Sequence, residues 1–92
     1  MVFGALADPI RRQIVELLCT QKMSAGDIAA HFEVSRPAVS RHLRVLREAG
    51  LVRVEGAAQH RVYSLQPAPL EELEAWLVRQ RAHGEFSDAP RG

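Results

Sequence analysis

The sequence predicts a mainly α-helical domain with one small β-hairpin, about five helices and a two-stranded wing. Three observations carry this. Residues 28–43 read as two short helices joined by a tight turn, the second loaded with arginine on its outer face. After Gly50 the apolar period changes from that of a helix to two, as in a hairpin. A last helical stripe, Leu70, Leu73, Trp76 and Leu77, follows the hairpin.

Each element has its own signal. Phe3, Leu6 and Ala7 suggest a short first helix. Asp8-Pro9 is a cap followed by proline at the first helical position, where a missing N–H costs nothing. The second helix is read to about Cys19, with Ile10, Ile14, Leu17 and Leu18 on its buried stripe. Thr20-Gln21-Lys22 reads as a connector, and Ser24 with Asp27 opens a third helix that turns Ile28, Ala29 and Phe32 inward. Glu33-Val34-Ser35 is the turn. Glu33 occupies a slot where left-handed backbone usually favours glycine, a cost of about 1 kcal/mol. Glu33→Gly is therefore expected to raise the melting temperature slightly; a lower one would count against this placement of the turn.

Ser35 caps the fourth helix and Pro37 sits in its first turn. Val39, Leu43 and Leu46 mark its core side, Arg36, Ser40, Arg44 and Arg47 the opposite face, and Gly50 its end. Residues 51–55 and 60–65 alternate as two strands, with residues 56–59 as the tip. The order is that of a winged helix-turn-helix, whose second motif helix enters the DNA major groove. Residues 1–83 are read as a single domain for DNA binding and dimerisation, and residues 84–92 as a flexible tail.

Composition bounds the function. Ninety-two residues make one small domain. The net charge of +1 hides an uneven spread. Residues 35–61 hold six arginines against two acids, a net +4, and the rest of the chain is −3. That basic segment coincides with the helix-turn-helix, as expected of a phosphate-binding face. No apolar run is long enough to span a bilayer, and the start shows no signal-peptide pattern, so a cytoplasmic protein is expected. Cys19 is the single cysteine, which excludes an internal disulfide and fits a reducing compartment. No nucleophile motif, phosphate loop or carboxylate constellation of an enzyme is present, and no cofactor is expected.

Residues 5–14, Ala-Leu-Ala-Asp-Pro-Ile-Arg-Arg-Gln-Ile, and residues 35–52, Ser-Arg-Pro-Ala-Val-Ser-Arg-His-Leu-Arg-Val-Leu-Arg-Glu-Ala-Gly-Leu-Val, resemble the ArsR (ArsR/SmtB) family of bacterial winged-helix repressors. The likeness runs from about Phe3 to Trp76. It implies a homodimer paired through first and last helices on an imperfect palindrome of double-stranded DNA, released by an inducer. Phe3, Leu6, Leu70, Leu73, Trp76 and Leu77 become dimer contacts, and Arg36, Ser40 and Arg41 base readers. One family sensing site is a Cys-x-Cys pair at the start of the third helix. Here Ser24-Ala25-Gly26 stands there, and the last helix offers only His83, so a member lacking the family's usual metal sites is expected.

Roles stay open at several residues. Arg36 and Arg41 either fork onto guanine edges or touch phosphate, and Ser40 is a lesser contact of either kind. Ser35 is first a cap, and Pro37 flanks the arginine face. Arg44 reads as a phosphate clamp and Arg47 as a solvated charge. His42 either donates toward the groove or packs between Ala38 and Leu46. Arg53, Gln59, His60 and Arg61 lie on or near the wing, within reach of minor groove or backbone. Tyr63 is expected to pack against the recognition helix, and Cys19 to be a small buried hydrophobe rather than a redox switch. Against the repressor reading stand a metal- or thiol-gated sensor and a winged helix that binds protein.

Overall fold

Asp8 shows how the first half is set. Its carboxylate accepts hydrogen bonds from the amides of Ile10 (2.8 Å) and Arg11 (3.1 Å), filling two of the orphan donors that open a helix. Burial raises its carboxyl pKa. The amide bonds from Arg11 and Ile10, with the nearby Arg11 charge, outweigh this and hold it below the usual value. The stabilisation from this cap is therefore complete above the ordinary Asp value of about 3.9 and is lost as the pH falls through the lower folded value.

The computed structural model describes residues 2–57 and 60–91, with side chains through residue 84. Among them the order is α1 (Val2–Leu6), α2 (Pro9–Thr20), α3 (Ala25–Ala29), α4 (Arg36–Glu48), β1 (Val52–Glu55), β2 (Val62–Leu65) and α5 (Pro67–Arg91). The mainly α domain with a two-stranded antiparallel wing is as read. β1 and β2 pair from Val52 opposite Leu65 to Glu55 opposite Val62. No helix is long and apolar enough to cross a membrane among the described residues.

The core sits where α2, α3, α4 and the base of the wing meet. Ile14, Ile28, Val39, Leu43, Leu46 and Leu51 are its fully enclosed side chains. The α4 stripe is buried as its spacing predicts. On α2 the burial falls on Ile14, Val15 and Leu18, with Ile10 and Leu17 only partly covered. Cys19 is exposed, which corrects the expectation of a buried thiol. It stands one residue before the end of α2, and Val15 takes the covered place one turn earlier.

Three local differences have local causes. α2 runs on through Thr20, whose hydroxyl donates to the Leu17 carbonyl at 2.7 Å, so the connector is Gln21-Lys22. Met23 then joins the wing as a one-residue bridge: its amide donates to the Tyr63 carbonyl (3.1 Å) and its carbonyl accepts from Tyr63 (2.8 Å). β2 starts at Val62, two residues late, and the His60 amide donates instead to the Ala57 carbonyl at 3.0 Å.

Two glycines are required by the backbone. Gly50 has φ 77° and ends α4, with Gly50 N–H donating to Arg47 and Leu51 N–H to Leu46. Gly56 has φ 95° at the wing tip, where a Cβ would stand 2.1 Å from the His60 carbonyl oxygen. α5 continues as helix through Gly84 to Arg91, past the point where composition predicts a tail.

Candidate nucleic-acid interface

The recognition surface is built on α4. Ser35 Oγ accepts from the Ala38 amide at 3.2 Å, capping the helix as read. Because Val39, Leu43 and Leu46 are pulled into the core, the opposite side is turned outward as one strip: Arg36, Pro37, Ser40, Arg41, Arg44 and Arg47 are all exposed. Ser35 is exposed beside them.

The wing adds to this strip at two places. Arg61 joins Arg36 and Ser40, with Ser24 and Tyr63, around a polar cleft of about 480 Å³. The guanidinium of Arg36 lies over Gly26, where an added methyl would stand 3.6 Å from Nη1. Tyr63 is buried and shares this cleft with Arg36 and Ser40 of α4. On the other flank Arg44, Arg47 and Arg53 border a second open cleft of about 720 Å³ with Gln66. Ser24, Gly26 and Gln66 are the members that sequence reasoning missed. Nothing local marks them, since they reach the clefts only through packing.

His42 stands apart from the arginine strip. It is half-buried, and its Nδ1 lies 3.2 Å from Arg11 Nη1. A guanidinium only donates, so Nδ1 accepts, which places the ring proton on Nε2. His60 is exposed near the wing tip; Gln59 lies outside the described residues.

Arg53 has a local partner. It is hydrogen-bonded and ion-paired to Glu55 two residues along β1. That hydrogen bond and charge, with Lys22 adding to them against a small effect of burial, hold the Glu55 carboxyl below its usual value. The pair is therefore intact at neutral pH and opens only as the pH falls through that lowered value. Glu55→Gln should free Arg53 and remove an anion from the wing. Binding of any duplex is expected to tighten about two- to fivefold at low salt, with a salt slope steeper by about one. Unchanged affinity and slope in an anisotropy titration would place Arg53 away from DNA.

A second surface is apolar. Phe3 of α1 meets Trp76 of α5 edge to face, with ring centroids 5.2 Å apart and planes at 72°. Both stay exposed, at 57% and 41%, and Leu77 and Val78, next along α5, are each 50% exposed. Leu6 and Leu70 are half-buried against their own core, and Leu73 is half-buried on α5. Val78 is exposed on α5 outside the predicted stripe. Among the described residues no three His, Cys, Asp or Glu side chains come together as metal ligands.

The family model for bacterial regulatory proteins of the arsR family matches residues 8–54, from the Asp8 cap through α4 into β1. The chain belongs to the ArsR family. It is a DNA-binding transcriptional regulator of that family and has its winged-helix fold. The transcriptional repressor SdpR of Bacillus subtilis is 40% identical over 77 residues, 84% of this chain and 86% of that one. The HTH-type transcriptional regulator Rv2034 of Mycobacterium tuberculosis is 48% identical over 75 residues, 82% of this chain and 70% of that one. The crystal structure of an ArsR family regulator, RHA00566, superposes with a TM-score of 0.85 at 28% identity, covering 91% of this chain and 92% of that one.

Proposed function

We propose that this ArsR-family member is a homodimeric repressor that occludes a promoter by binding a palindromic operator in the cytoplasm. The observation that carries this is the exposed arginine strip of α4, opened by the Ser35 cap and flanked by Arg53 and Arg61. A protein-binding module would favour an apolar or acidic face there. Two such strips, related by a two-fold axis through the apolar α1–α5 surface, would face half-sites about one helical turn (~34 Å) apart. Phe3, Leu6, Leu70, Leu73, Trp76 and Leu77 would then lie at the pairing surface, and a small-molecule inducer would release the dimer from DNA.

Within the strip Arg36, Ser40 and Arg41 are assigned to base edges, and Arg44 and the wing residues to backbone or minor groove. Fluorescence anisotropy against the DNA upstream of the chain's own gene, beside a scrambled duplex, at two salt concentrations, tests the reading. Tight, salt-weakened binding to the first duplex alone is the expected result. No binding to either at low salt would replace it with the protein-binding reading. Arg41→Ala is expected to weaken specific binding by about 1–3 kcal/mol and to leave scrambled DNA nearly unaffected. Equal loss on both would make Arg41 a phosphate contact.

A further inference from the structure

Arg11 makes more of its donors than any other side chain described. Its Nε donates to the Ala5 carbonyl (2.7 Å), Nη2 to the Gly4 carbonyl (3.1 Å) and Nη1 to His42 Nδ1 (3.2 Å). Ala5 and Gly4 belong to α1, and His42 lies in the middle of α4. α1 has only five residues, too few to be stable alone, and its Gly4 carbonyl also accepts from the Ala7 amide at 3.2 Å. Arg12 helps close the same end, donating from Nη1 to the Leu6 (2.8 Å) and Ala7 (3.2 Å) carbonyls. Arg11 alone of the two reaches on to α4.

We propose that the Arg11–His42 hydrogen bond sets the rotation of α4 about its own axis and so positions Arg41 for base reading. The inference rests on the DNA-binding reading above and deepens it. The close packing of Val39, Leu43 and Leu46 limits α4 to small rotations, and within that range apolar contact is non-directional and tolerates them. A hydrogen bond from a charged donor on the flank of the helix does not. With side chains reaching about 5–6 Å from the axis, a rotation of about 10° moves their ends by about 1 Å. That shift is enough to break a two-bonded contact with a base. His42 is adjacent to Arg41, so the tether acts one residue from the group it positions. The other end of the tether is α1, which carries Phe3 onto Trp76. Arg11 thus lies between the apolar surface and the recognition helix.

The test compares His42→Leu, which removes the acceptor, with His42→Asn, whose amide oxygen can stand near the place of Nδ1. Arg11→Met and Arg12→Ala complete the set. The probes are a duplex selected by this chain from random DNA and a scrambled duplex of the same composition. His42→Leu and Arg11→Met are expected to lose about tenfold in affinity for the selected duplex and less than about twofold for the scrambled one. His42→Asn should restore most of the loss. Arg12→Ala should lower stability and leave the ratio between the two duplexes unchanged. If Arg12→Ala moves the ratio as much as Arg11→Met, or if His42→Leu keeps it, the proposal is overturned. Should the wild-type chain itself not discriminate, the DNA reading falls, and nitrogen NMR of His42 judges the tether separately. An Nε2–H ring whose Nδ1 signal moves in Arg11→Met upholds it; an Nδ1–H ring overturns it.

Discussion

Leu77→Glu is expected to separate the dimer and lower operator affinity by roughly 10²–10⁴-fold, while the chain still folds. Leu77 is 50% exposed and lies beside Trp76 on a face that α5 does not cover with its own fold. Its loss therefore removes little from the core of one chain. Pairing two copies would bury that side chain, and a carboxylate buried there without a partner is costly. Each separated chain then holds a single recognition helix. The second half-site contact ceases to be intramolecular, and the gain from effective concentration is lost. Sedimentation equilibrium with an anisotropy titration checks both consequences. A Leu77→Glu chain that still dimerises and binds like wild type would remove α5 from the interface.

Leu43→Ala should act at the opposite end, on the fold itself. Leu43 is 1% exposed and lies between Val39 and Leu46, which are fully enclosed. Deleting such a side chain leaves a cavity as well as losing its transfer energy, together about 2–5 kcal/mol. Native domains hold about 5–15 kcal/mol, and a chain this small falls toward the low end. The melting temperature is expected to drop between roughly 8 and 40 °C. Scans at several protein concentrations separate this from any loss of pairing, since dimer stability depends on concentration. A drop of only a degree or two would mean that α4 is not held by this stripe.

These two residues also mark what a reader of the chain can and cannot see. Leu43 was legible because it belongs to an i, i+4, i+7 pattern bounded by Ser35 and Gly50. Period and caps are properties of a few neighbouring residues. The arginine strip follows from the same pattern by elimination, since the buried stripe turns the remaining positions outward. Cys19 was misread because it ends an apolar run, and periodicity says nothing about where covering neighbours stop. Val78 was missed for a related reason. It lies off the predicted stripe, about 100° around the helix from Leu77, and is equally exposed.

The sequence by itself determined the element order, the caps, the core side of α4, the wing and the basic strip. Each depends on residues within about one or two helical turns of one another. Only the tertiary structure decided which of those residues meet. Arg11 and His42 are separated by 31 positions, and Met23 pairs with the remote Tyr63. Arg36 lies over Gly26 because α3 packs against α4. Such pairings arise from the folding of one element onto another, and a hydrogen bond between distant positions imposes no period on the chain. Local patterning sets which face each helix presents, and packing alone sets what that face touches.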